Sequence, residues 1–427
     1  MTRSVTLRVA TALTDAVVES AVVHAASVSP CSATVTRRCR DIVELRAVAA
    51  TGQVDVAVVD GALRGLDRDV MAALAARGVR CIAVTDQGGE ELLAMGAASV
   101  VDRGLSGLDA ALRGEGAASV AAVTVQAPNP EGTTGRVVAV WGPTGAPGRT
   151  TVAIELAAAL TRQGQDTLLV DADTVGPSVA QHLGLIDDTS GFAAAVHLAA
   201  RGRLEPVGLA GLAVSVPSGP RVLVGLPHAD RWSELRPASV DALLQCARST
   251  APWTVVDIGF GIEGSDLDWS DPGAPARYGA ARATLATADV LVCAGRCDPV
   301  GLTRLIRGLS EVTELAPTAH VLVVANRVTS GAEARQIRQL LVERTGHSTA
   351  VALADDPPAV AGAMAKGGSI FEHRPRSPFV AGVDELAEQV LKVGGSYDQS
   401  CERVARSHRR LLRSPHRRHR HSDARVV

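Results

Sequence analysis

Lysine is almost missing from this chain of 427 residues. Lys366 and Lys392 are the only two, so nearly all positive charge is carried by arginine. Also missing is any window of the roughly 20 unbroken apolar residues that a membrane-crossing helix needs. The N-terminus lacks the short apolar block and small-residue cleavage site of a signal peptide, and a cytoplasmic location is expected. Cysteines are few and odd in number: Cys31, Cys39, Cys81, Cys246, Cys293, Cys297 and Cys401. Only Cys293 and Cys297 are close, and their spacing is not that of a zinc site, so all seven read as reduced thiols. The net charge of −2 argues against wholesale coating of nucleic acid. No repeat of the solenoid kind is present.

What is present is alternation of strand and helix. A chain of this length suggests two or three domains. Residues 5–13, 54–60, 80–85 and 98–102 are Val/Ala-rich runs separated by helical stretches, which predicts a small α/β domain over 1–105. Residues 106–135, rich in Gly, Ala, Pro and Thr, read as a linker. A longer series follows over 136–393, with strands expected at 136–141, 167–171, 221–225, 253–258, 289–294 and 320–325. Their near-continuous apolar character is that of parallel strands covered on both faces. The last helix is expected at about 384–393, and 394–427 reads as a disordered basic tail.

One turn carries chemistry. The strand at 136–141 runs into Gly142-Pro-Thr-Gly-Ala-Pro-Gly-Arg-Thr-Thr151 and then an apolar helix. A Gly-rich turn between a buried strand and a helix N-terminus can wrap N–H groups around phosphates. The literal G-x-x-x-x-G-K-[ST] pattern fails twice, with Pro143 in place of the first Gly and Arg149 in place of the Lys. Two prolines also remove amide donors. Asp171 and Asp173 close one strand and Asp257 another, where carboxylates can face such a loop.

The order of Gly142–Thr151, Leu169-Val-Asp-Ala-Asp173, Thr254-Val-Val-Asp257 and Val323-Val-Ala-Asn-Arg327 resembles the MinD/ParA deviant-Walker ATPases. The stretch Leu226–Pro237 resembles their CpaE/TadZ branch, including the actinobacterial septum-site-determining (Ssd) proteins. This resemblance implies an α/β P-loop NTPase domain with a mostly parallel sheet, preceded by a smaller receiver-like, flavodoxin-like α/β domain. It implies ATP and Mg²⁺ as cofactors. Gly145, Ala146, Gly148, Arg149, Thr150 and Thr151 would bind the phosphates and Asn326 the adenine edge. Thr150, Asp171 and Asp257 would serve the metal, and Asp173 would position the hydrolytic water, with Arg149 at the β/γ-phosphates. The signature Lys that crosses an ATP-sandwiched dimer aligns with Thr144, a neutral residue. Arg149 offers a wide planar fork rather than a compact ammonium. Both departures bear on hydrolysis, and a weak ATPase and a homodimer are the expectations.

In the first domain Asp60, Thr85 and Arg103 stand where a receiver carries its phosphoacceptor, its hydroxyl and its Lys, while Thr11-Ala-Leu-Thr14 replaces the acidic pair. Without that pair Mg²⁺ binding is weak, and the domain reads as a docking or dimerisation module. The Arg-rich run Arg403–Arg420 would attract anionic membrane or nucleic acid. The acidic loop Glu263–Asp271 reads as solvated. Three functions follow, beside a fourth, a response regulator driven by phosphorylation at Asp60. The first is an ATP-dependent positioning protein acting at the septum or on a Flp/Tad pilus apparatus, with division or secretion proteins as partners of the first domain. The second is a non-hydrolysing nucleotide-binding scaffold. The third is a metabolic enzyme of the wider superfamily, such as an amidoligase.

Overall fold

The structure is a computed structural model that describes residues 6–29, 31–115, 134–186, 188–264 and 276–411. In the first domain the elements are β1 (Leu7–Ala12), α1 (Ala16–Val28), β2 (Ala33–Arg38), α2 (Ile42–Ala50), β3 (Val56–Asp60), α3 (Arg68–Ala76), β4 (Arg80–Val84), α4 (Gly89–Met95), β5 (Ser99–Val101) and α5 (Leu108–Arg113). Asp15, Asp41 and Asp67 start α1, α2 and α3 by accepting first-turn N–H groups, as N-cap carboxylates do. All five strands are parallel, in the order β2-β1-β3-β4-β5. The order reverses between β1 and β3, which opens a crevice at their C-terminal ends. β2, an exposed and Arg-ended strand, is absent from the Val-rich runs named above.

The second domain holds β6 (Arg136–Trp141), α6 (Arg149–Arg162), β7 (Thr167–Ala172), α7 (Val179–Leu183), α8 (Gly191–Ala200), α9 (Pro206–Leu212), β8 (Val214–Ser215), β9 (Arg221–Leu223), α10 (Pro237–Thr250) and β10 (Trp253–Ile258). It continues with α11 (Gly279–Thr287), β11 (Val290–Arg296), α12 (Pro299–Leu315), β12 (His320–Val328), α13 (Gly331–Thr345), β13 (Thr349–Ala354), α14 (Pro357–Lys366), α15 (Ile370–His373) and α16 (Pro378–Leu411). The strand order is β13-β12-β11-β6-β10-β7-β9-β8, parallel throughout except β8 against β9. β6 lies between β11 and β10, so the chain leaves it on both sides and its C-terminal end is the switch point. Each face is covered: Leu243, Leu244, Phe192 and Leu305 lie in one core layer, Leu156, Leu160, Phe379 and Leu386 in the other. α6 is buried from Val152 to Leu160, which holds the turn before it rigidly against the sheet.

Several boundaries differ from the sequence expectations. The last helix starts at Pro378, not near 384, and continues past Val393 to Leu411. α5 lies inside the stretch expected as linker and packs Leu108 and Leu112 into the first domain's core. Residues 116–133 of the linker, most of the acidic loop and residues 412–427 lie outside the described residues.

The two domains touch through α3. Asp69 is buried and accepts from the Ala238 amide at 2.9 Å and the Ser239 hydroxyl at 2.5 Å, at the start of α10. Arg236 pairs with Asp67 at 2.9 Å, and Arg68 donates through Nε to the Ala199 carbonyl at 3.1 Å.

Candidate functional site

The Gly142–Thr151 turn joins β6 to α6, so the sequence expectation of a strand–turn–helix holds in space. Gly148 is the N-cap of α6, with φ of 91°. A side chain there would meet both that left-handed backbone and the Asn326 amide, so glycine is required. Ala146 also has positive φ, at 53°. Such a value in a non-glycine residue is a strained backbone held by its surroundings.

Arg149 lies across the inside of this turn. Its Nη1 donates to the Gly142 carbonyl at 3.1 Å and the Pro143 carbonyl at 3.2 Å. Its Nη2 stands 3.6 Å from Asp173 Oδ2, and its fork lies 6.0 Å from the Phe260 ring centre. Nε is buried without a partner. Asp173 in turn accepts from the Val175 and Gly176 amides at 2.8 and 3.0 Å. A phosphate entering the turn therefore meets a cation already engaged with one carboxylate and two carbonyls.

Asp171 and Asp257 are paired in the sheet register at the ends of β7 and β10. Asp171 Oδ2 accepts from the Ser178 and Val179 amides, each at 3.0 Å. Burial still pushes its acid up to about 7, because those amides offset only part of the desolvation. Asp257 is completely buried, and neither carboxylate oxygen has a hydrogen bond of ordinary geometry. Burial, and then Asp171, raise its pKa well above the usual range, with the Thr150 hydroxyl close enough to oppose the shift. Thr150 Oγ1 also accepts from Ser178 Oγ at 3.4 Å. Among the described residues no group of three His, Cys, Asp or Glu side chains could hold a metal ion by itself. A hydroxyl beside an unpartnered carboxylate fits instead a hard cation that is completed by phosphate oxygens and water.

Asn326, expected at the adenine edge, is hydrogen-bonded within the protein. Its Nδ2 donates to the Pro147 carbonyl at 2.7 Å and its Oδ1 accepts from the Arg327 amide at 2.8 Å. It is buried, and these two bonds tie it to the turn. Asn326 also lines a cleft of ≈ 270 Å³, together with Gly148, Thr151, Arg327, Pro357 and Met364.

Residues 133–218, which contain this turn, match the ParA family model, described as NUBPL iron-transfer P-loop NTPase. Among solved structures, the chain resembles a ParA family ATPase from Chlorobium tepidum at 17% identity and a TM-score of 0.51, covering 59% of this chain and 98% of that one. The second domain has the ParA/MinD-type P-loop NTPase fold. Also similar are the septum site-determining protein MinD complexed with Mg-ADP from Pyrococcus horikoshii (17% identity, TM-score 0.47, 61% of this chain and 97% of that one) and an ATP complex of McdA from Cyanothece (18%, 0.48, 61% and 98%). No curated protein matches the chain.

Within this ParA/MinD-type fold, Arg149, Thr150, Asp171, Asp173 and Asp257 are brought together, while Gly145 and Ala146 stand exposed on the rim of the turn. Sequence reasoning missed Ser178, whose amide and hydroxyl link Asp171 to Thr150. The Gly176-Pro-Ser178 turn just after Asp173 was its available signal. It also missed Arg304 on α12, whose Nη1 donates to the Thr144 carbonyl at 3.2 Å.

The first domain gathers a second charged cluster. Asp60 is buried at the end of β3, bonded to the Thr14 hydroxyl and, at 3.0 Å, to the Ala62 amide. Arg103 reaches it at 3.4 Å and lies 3.7 Å from Asp15 and 4.0 Å from Asp86. Burial alone would raise the Asp60 pKa, but Thr14, the Ala62 amide and Arg103 outweigh it and hold the group below its ordinary value. Thr85 bonds to the Gln87 carbonyl and amide, which makes it a turn residue.

Proposed function

We propose that the chain binds ATP with Mg²⁺ in the Gly142–Thr151 turn and works as a nucleotide-dependent positioning protein. The septum-site and Flp/Tad pilus roles implied by the CpaE/TadZ and Ssd resemblance are the cellular settings of this reading. The observation that carries it is the convergence of Arg149, Asp173, Thr150 and Asp257 at the end of β6 in a ParA/MinD-type fold. Mg²⁺, held by Thr150 and through water by Asp257 and Asp171, would neutralise charge on the terminal phosphates. The chain's own residues do the rest: backbone N–H groups of the turn bind, Arg149 adds positive charge, and Asp173 orients water. The receiver-like first domain serves as a docking module that division or secretion proteins contact, and the basic tail meets anionic membrane or nucleic acid. Homodimerisation follows from the same resemblance.

A second reading, a scaffold that holds nucleotide without turning it over, draws support from two features. Thr144 is neutral, and Arg149 is tied to Asp173 and to its own loop. One experiment separates them: Mg²⁺-dependent ATP binding and phosphate release by wild type, Arg149→Ala and Asp173→Ala. The switch reading expects binding lost in the first variant and release lost in the second. Binding without release in wild type selects the scaffold. Absence of binding in wild type overturns both.

A further inference from the structure

The loop has a cavity at each end, and they differ in chemistry. At the α6 end lies the cleft described above, lined partly by Pro357 and Met364. At the opposite limb, Pro143, Thr144 and Gly145 form one wall of a second cavity of ≈ 200 Å³, whose far side carries Arg296, Asp298 and Arg304.

The two arginines of this second cavity are not equivalent. Arg296 is neutralised by Asp298, with Nε 2.7 Å from Oδ2. Arg304 is exposed and has no acidic partner among the described residues, and its bond to the Thr144 carbonyl ties it to the loop itself. It occupies the space a Cβ of Gly145 would need, so this glycine is what lets the guanidinium lie against the loop. A nucleotide with its base in the cleft beside Thr151 and its phosphates along the loop would end at the Thr144–Gly145 limb. There Arg304 places positive charge beside the neutral Thr144.

We infer that Arg304 is the residue by which this site distinguishes a nucleoside triphosphate from a diphosphate, through a charge-assisted bond to the terminal phosphate. The inference rests on the nucleotide reading proposed above. Arg149 faces the inside of the loop and keeps the β-phosphate that both ligands carry, whereas Arg304 stands at the rim and meets only the last phosphate. One guanidinium–phosphate bond is worth about a tenfold change in affinity.

The test is the dissociation constant of Mg-ATP and of Mg-ADP for the full chain, measured by calorimetry on wild type, Arg304→Gln and Arg304→Lys. The expected result is about tenfold weaker ATP binding in Arg304→Gln with ADP binding unchanged, and partial recovery in Arg304→Lys. Because Arg304 is exposed, the thermal midpoint should not move, which keeps misfolding from imitating the effect. Equal losses for both nucleotides, or no loss for either, would overturn the assignment. A wild type that binds neither nucleotide fails the parent reading instead, and the two failures are distinct.

Discussion

Asp69 of α3 in the first domain accepts the Ala238 amide at 2.9 Å and so caps a helix of the second domain. The N-cap residue of that helix, Arg236, supplies no side-chain cap. An N-cap carboxylate is worth about 1 kcal/mol or somewhat more. Asp69→Ala should therefore destabilise the second domain by about 1–2 kcal/mol in denaturant titration, and Asp69→Asn, which keeps an acceptor, by less. A cycle with Ser239→Ala should give a coupling above ~0.5 kcal/mol, and additive losses would contradict the contact.

A pH dependence follows from Glu155, buried in α6 and accepting the Ile370 amide at 2.6 Å. Burial pushes its acid from 4.5 up to about 7 against the pull of the Ile370 amide. The native state therefore keeps a proton that the unfolded chain has released, and the associated stability is present below about 4.5 and lost as pH rises through about 7. Asp171 acts in the same direction over a similar window. Thermal midpoints should fall between about pH 5 and about pH 8, and Glu155→Gln should flatten that slope by on the order of 1–3 kcal/mol. A wild-type slope of the opposite sign would refute the burial argument.

Arg149 is shared between the loop and Asp173, 3.6 Å away. Asp173→Asn removes the competing charge and leaves the cation to the phosphates. ATP affinity should rise about three- to tenfold, consistent with losing one partly buried charge partner, while phosphate release disappears. Unchanged affinity would mean that the ion pair does not compete with nucleotide.

Asn326 lines the cleft beside the loop while its Nδ2 is committed to the Pro147 carbonyl. Asn326→Ala should thus weaken ATP and GTP by the same factor, roughly five- to tenfold, through a loosened loop. A loss confined to ATP would instead support the base-reading role expected from the sequence.

The sequence was most informative where both faces of an element are buried. The bounds of β6 and β10 match their apolar runs, and the phosphate loop was legible because a strand, a glycine-rich turn and a helix are contiguous. β13, six residues of Thr, Ala, Val and Leu, lacks a comparably long branched run and went unread. Contacts distant in sequence were equally hidden. Asn326 and Pro147 are 179 residues apart, as Asp69 and Ala238 are 169 apart, and no local pattern marks either bond. The proximity of Arg304 to Thr144 depends on how α12 is rotated against the sheet, which composition does not encode.

Arg103 sits among Asp15, Asp60 and Asp86 as a permanent part of the chain. Its occupancy cannot vary with dilution, chelator or competing ion. Asp257 has no cation in ion-pair range among the described residues, and in the function proposed above it takes a share of one from solution. Of these two carboxylate clusters, one carries its counter-charge within the chain and the other, on the proposed reading, depends on the ion that the solution supplies.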